Sequence, residues 1–319
     1  MSLFEQLFGH DQGKDTPVLL SAIERAVSRV EPLLRQTRGY RGIYRKSVAR
    51  ALEYANSLAA SVPGPVMVNR ETYAKDAFIH ALFPSVDIVT EAFCASMAVR
   101  DYYRKFPHTD ELFALMGMRR VEKNMMGLEL SGEIIHRDVV QKAVYFTNHT
   151  IENLASTEKQ ARELIALSFF DSLVGKVKKR VEARKQERQA QLQEKNLLTS
   201  RLRTADAQTR PALEEKLSRM LASMQSTAGS LDLRNYIEDF EAVLLNPEQH
   251  LHLNQIPIVL DSMGIRRESA DASQDEAVLF SELVDFDRRN WTVTMVHCSN
   301  MQSEALEIKL EKAYRKLAI

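Results

Sequence analysis

Two clusters of basic residues are the part of this sequence whose types and spacing could do chemistry. In the first, Arg35, Arg38, Arg41, Arg45, Lys46 and Arg50 fall in a run without Asp or Glu. On a helix Arg38, Arg41 and Arg45 share one side, with Tyr40 and Tyr44 close by. Guanidinium forks beside aromatic rings suit phosphates and single-stranded bases. Gly39 and Gly42 would let the backbone approach an anion, but they also weaken a continuous helix. The plainer reading is a solvated face, or ion pairs to acids on a neighbouring helix. The second cluster is Lys176, Lys178, Lys179, Arg180, Arg184, Lys185 and Arg188, interrupted by Glu182 and Glu187. It suits a strip that docks an acidic partner or a phosphate backbone. Its plainer reading is the solvent face of a long helix.

Other candidates fail on their own chemistry. The stretch from Gly9 to Thr16 resembles a phosphate loop, but its glycine spacing is one short. Asp15 also stands where the loop needs a hydroxyl, and an aspartate there repels phosphate. His250 and His252 would share a strand face and, with His297 or Cys298, could supply three zinc ligands. No Cys-x-x-Cys or His-Glu-x-x-His spacing accompanies them, so they read as strand residues, and no metal or cofactor is expected. Cys94, beside Ala92, Phe93 and Ala95, reads as a buried, inert thiol. No Gly-x-Ser-x-Gly elbow occurs, and no pair of residues nominates itself as nucleophile and base.

Composition narrows the class. The 319 residues allow two or three compact units, and 45% hydrophobic content is enough for a sizeable core. The 43 basic and 43 acidic residues cancel, which argues against a surface that tracks nucleic acid everywhere. Two cysteines far apart do not make a disulfide framework and suit a reducing compartment. No apolar run approaches the ~20 residues of a membrane span, and the N-terminus lacks the pattern of a secretory signal. A cytoplasmic location is the expectation.

The elements that must position these residues are mostly helical. Thr16 before Pro17 is a helix start, and Pro32 kinks that helix or begins another. Further helices are expected over 40–60, from Asn69 to about Leu82, and from Ser85 to about Lys105. Leu3, Phe4, Leu7 and Phe8 form a short apolar face that folds back on the body or docks elsewhere. Between Phe113 and Phe146, glycines separate β-branched and aromatic runs, which predicts a small antiparallel meander. Strands are expected again over 252–260, 278–286 and 291–298, with a polar loop over 268–276 and a turn over 287–290. A final helix carries Leu306, Leu310, Ala313 and Leu317.

Between the two strand regions lies a long helical stretch. Thr157 and Gln160 have capping-box spacing. Leu167, Phe170, Val174, Val177 and Val181 then recur at spacings of three and four. Leu213, Leu217, Met220 and Met224 repeat that seam, and after Gly229 so do Leu233, Ile237, Phe240 and Leu244. Reversal near Ala207 would place Leu198 by Lys216 and Val174 by Phe240. Residues 184–191 are polar all round, so a helix there is solvated or touches another molecule.

The expected fold is therefore α+β and predominantly helical. A helical domain spans 1–107. A split β-rich domain takes 108–155 and 247–319, and ends in the C-terminal helix. A long antiparallel coiled-coil hairpin, 156–246, is inserted in it. The leading functional reading is a non-catalytic interaction or assembly protein that presents residues 184–228 to a protein partner. Lys178, Arg180, Arg184, Lys185 and Arg188 would form the contact. The alternatives are nucleic-acid binding through 35–50 and 176–188, and an enzyme with a site assembled from scattered residues. Pairing between two copies of the chain would also satisfy the seams.

Overall fold

Strand β7 (Asn290–Ser299) is buried on both faces from Val293 to Val296, which is why it reads as an almost unbroken apolar run. The computed structural model describes residues 16–131, 134–226, 233–261, 264–267, 276–285 and 290–299. The N-terminal apolar face, the Gly9 stretch, the interruption at Gly229 and the C-terminal helix lie outside the described residues. So do nearly all of the 268–276 loop and the 287–290 turn. The fold is α+β with a mixed sheet, and its longest helix is α7 (Glu158–Thr204, 47 residues). No helix among the described residues is long and apolar enough to cross a membrane.

The chain divides into two compact units, each made of two separate stretches. The first takes 1–55 and 170–250, the second 56–169 and 251–319. The division falls inside α2 (Tyr40–Ser61) and α7.

In the first unit α1 (Pro17–Val30) starts as its sequence requires: the Thr16 side chain accepts from the Leu19 amide at 3.3 Å. Such a cap contributes about 1 kcal/mol. Pro32 opens a short 3-10 turn, Pro32–Gln36. Ile23, Val27, Tyr44, Val48, Val174, Val177 and Phe240 are buried, and Tyr44 meets Phe240 at a ring distance of 4.5 Å. Burial pushes the Tyr44 phenol up to about 12. The second arm of the helical stretch is described as α8 (Arg210–Ser226) and α9 (Leu233–Leu244).

Among its described residues the second unit holds four short helices: α3 (Arg70–Lys75), α4 (Ala77–Leu82), α5 (Val86–Ala95) and α6 (Met97–Lys105). Two longer helices were expected here. Asp76 and Ser96 divide them, because each side chain accepts from amides of the turn that follows and so starts a new helix. These helices share one core with the sheet, through Ile79, Leu82, Phe83, Val89, Phe93, Phe146 and Phe280.

Among the described residues the sheet has seven strands. Besides β7 these are β1 (Val66–Met67), β2 (Glu111–Ser131), β3 (Ile134–Ala155), β4 (Leu251–Leu260), β5 (Ile265–Arg266) and β6 (Glu276–Asp285). Their order is β1-β7-β2-β3-β5-β4-β6, and β6 also pairs β7, so six strands close into a ring. Strands from before and after the long helical stretch thus belong to one sheet. An ion-pair chain ties the ring on one side: Glu282 on β6 holds Arg120 on β2 at 2.7 Å, Arg120 pairs with Glu122, and Glu122 meets Arg266 on β5 at 3.4 Å. Glu282 is only 4% exposed, and the Arg120 guanidinium offsets the cost of its burial.

β2 and β3 far exceed the small meander expected. β2 pairs β7 only as far as Met118, and β3 pairs β5 only at Lys142 and Ala143. Beyond those points, among the described residues, the two strands pair solely with each other, as a ribbon on which Met126 is 70% exposed. All three register shifts in this pair add a residue to β3, and each extra stretch holds a left-handed residue: Asp138 (φ 60°), Asn148 (φ 56°) or Asn153 (φ 57°). Asn and Asp are the non-glycine residues that tolerate this conformation best.

Candidate functional site

The first basic cluster borrows an acid from α1. Glu24 accepts Arg41 at 2.8 Å, Arg35 at 3.4 Å and the Tyr40 hydroxyl. The hydrogen bonds from Tyr40 and Arg41 hold its carboxyl below the usual carboxylate range. Arg35 also donates to the Ser28 hydroxyl, and Arg41 lies over the Tyr40 ring at 5.8 Å. Arg50 pairs with Glu248 at 3.5 Å and lies over Tyr54. Arg45 is half-buried, whereas Arg38 and Lys46 are exposed. One glutamate serving two guanidiniums leaves local positive charge. The first unit as a whole carries 23 Lys and Arg against 18 Asp and Glu, and the second carries 20 against 25.

The second cluster is largely engaged within its own unit. Arg180 and Arg184 both reach Oδ1 of Asp239 at 3.1 Å, and Asp239 is 1% exposed. Lys185 pairs with Glu31 on the α1 side, and Lys178 meets Glu182 at 3.7 Å. Arg188 is half-buried. Residues 184–191 were expected to be solvated or to touch another molecule; the first two instead pair within the chain, with acids from segments distant in sequence. Further along, Glu194 pairs with Lys216 of α8 at 3.0 Å. No residue from Glu182 to Leu197 is buried, while Leu198 is. Leu197 is 51% and Leu221 37% exposed.

Sequence reading missed a cavity of about 560 Å³ between α5, the start of α6 and β3. Ile88, Ala92, Ala95, Ala98 and Ile151 form its apolar wall. Glu91, His149 and Glu152 are its titratable residues, and neither Lys nor Arg lines it. Two β3 irregularities, at Asn148 and Asn153, bracket the strand segment that contributes here. His149 stacks on Phe83 at 4.9 Å with an interplanar angle of 11°. Its Nε2 lies 2.9 Å from the Leu82 carbonyl, which can only accept, so Nε2 carries the proton. Nδ1 is then an acceptor in the neutral ring. Burial pushes the imidazole below its ordinary value, against the opposing effect of the Leu82 bond. The signal that could have pointed here is the recurrence of Asn and Asp through a β-branched run.

The other histidines among the described residues do not converge. His250 lies 3.3 Å from the Ala242 carbonyl, and His297 pairs with Glu111 and stacks on Phe113 at 4.2 Å. Cys298 is buried and forms no disulfide, and Cys94 lies in α5 with its side chain outside the described residues. Among the described residues no three His, Cys, Asp or Glu side chains gather where they could hold a metal ion. Comparison with protein-family models, curated proteins and solved structures gives no match.

Proposed function

We propose that this chain is a non-catalytic interaction or assembly protein, in which α7 with α8 and α9 forms an antiparallel coiled-coil hairpin offered to a protein partner. The observation that carries this reading is the uninterrupted helix from 182 to 197 with no buried residue. A helix of 47 residues extends about 70 Å, and a stretch of it that buries no side chain needs a partner to explain its length. The ion pairs Glu194–Lys216 and Arg180–Asp239 support the antiparallel arrangement, as does the buried Leu198. Leu197 and Leu221 supply exposed apolar contact on a charged surface.

Changing Leu197 and Leu221 to Glu tests the proposal. The double variant should melt with the native chain and lose partner capture, while Met126→Glu on the β2–β3 ribbon should retain it. Capture undiminished by the double change would overturn the reading. Sedimentation separates a second copy of the chain from a different partner.

Nucleic acid is the second reading, and the surplus of basic residues in the first unit favours it. Arg38 and Lys46 are its exposed contacts. Binding to single-stranded RNA that weakens steeply with salt, and further with Arg38→Glu, would support it. No binding at low salt removes it.

A further inference from the structure

We infer that the free edge of β2 on the β2–β3 ribbon pairs antiparallel with the same edge of a second copy of this chain, about a twofold axis at Met126. The ribbon lies wholly in the second unit, so this contact stands apart from the helical hairpin and its partner. β2 has 21 residues, where about five or six are usual, and two strands alone make a marginal sheet. Beyond Met118, among the described residues, β2 has β3 on one side and no strand on the other. A row of backbone N–H and C=O groups lies along that side, and the partner that satisfies such a row is another strand. The two edges of the ribbon differ. Every added residue is on β3, where Asp138 with its positive φ breaks the outer edge, and such irregularities blunt a strand against pairing. β2 stays regular from Gly127 back to Arg119 and carries no added residue as far as Ser131.

The exposed side chains agree with pairing at this edge. Met126 and Val140 are cross-strand partners, 70% and 60% exposed, and Met125 beside them on β2 is 49% exposed. A strand added to β2 covers the outer flank of Met125 and Met126, as neighbours do inside a sheet. The charges select a second copy as that strand. Lys123 and Glu129 stand three residues to either side of Met126. Antiparallel pairing about Met126 sets each Met126 opposite its counterpart and Lys123 opposite Glu129 of the second copy, twice over by symmetry. A pairing centred on Lys123 would instead set two lysines opposite each other. The twofold contact also closes, because it uses the regular edge of each ribbon and leaves the blunted β3 edges outside.

Sedimentation of the full chain over a range up to about 100 μM should show a dimer at the upper end. Met126→Lys, an exposed change that leaves the fold intact by circular dichroism, should weaken that dimer at least about tenfold, because two cations then meet at the axis. Val140→Lys alters the same face but lies on β3, away from the shared edge, and should leave the dimer intact. Lys123→Glu and Glu129→Lys should each weaken it about tenfold by opposing like charges, and the two together should restore it. The chain with Leu197 and Leu221 changed to Glu should still dimerise, which separates this contact from the hairpin. A native chain that stays monomeric at the highest concentration overturns the inference. So does a dimer indifferent to Met126→Lys, one lost equally with Val140→Lys, one not restored by the double charge exchange, or one lost with Leu197 and Leu221.

Discussion

Nη2 of Arg162 lies 2.9 Å from the carbonyl oxygen of Gly64. The same guanidinium donates to the carbonyls of Ala59 at 3.0 Å and Val62 at 3.2 Å, and Glu158 holds its Nε at 2.8 Å. The last carbonyls of a helix have no partner within it, and here a cation from the first turns of α7 satisfies those that end α2. Arg162→Ala should lower stability by about 2 kcal/mol in urea unfolding. Arg162→Lys should recover less than half, because one ammonium cannot reproduce the planar fork. Full recovery by lysine would show that charge alone matters.

Glu282 makes the converse case. Arg120→Met leaves a buried carboxylate without its cation and should cost about 3 kcal/mol. Arg120→Met combined with Glu282→Leu should restore most of that loss, because the charge needing compensation has gone. A double variant as unstable as the single one would show that the ring needs the ion pair itself.

Lys185 and Arg188 should separate. Lys185→Glu opposes Glu31 and loses the hydrogen bond that holds that carboxyl below its ordinary value. It should lower stability by roughly 1 kcal/mol, since the lysine is 43% exposed. Arg188→Glu, with no ion pair among the described residues, should leave the melting temperature within a degree or so. Paired thermal melts decide between them.

His149 makes stability depend on pH. Its folded value is depressed, so the unfolded state binds the proton more readily. The contribution is complete above about pH 6.5, the value of an unperturbed histidine. It is lost as pH falls from there toward the folded value. His149→Gln, which keeps a donor for Leu82 without titrating, should flatten the acid limb of stability against pH. An unchanged slope would place the titration elsewhere.

How much of this was legible depended on whether a cause was local. Thr16, Asn69 and Thr157 announced helix starts because a cap acts across three residues. Asp76 and Ser96 act by the same chemistry, but they sit inside apolar stripes that outweighed them. The reach of β3 to Ala155 was hidden by its irregularities. Val144 and Phe146 face the core on even positions, whereas Ile151 does so on an odd one, so alternation fails across Asn148. The acid-free run at 35–50 was a property of sequence only, since Glu24 meets it from another helix. The cavity at His149 needed α5 and β3 together, which no local pattern conveys.

The interleaving of the two units sets the order in which the chain can fold. Neither unit occupies a single continuous stretch, so neither core can be completed by the first half of the chain as it is synthesised. The first unit must wait for residues up to 250, and β2 and β3 must wait for β7 before their ring can close. Until then the long β2–β3 pair exposes unpaired edges. Contacts this distant in sequence imply slow, late assembly and an interval in which a chaperone would compete with aggregation.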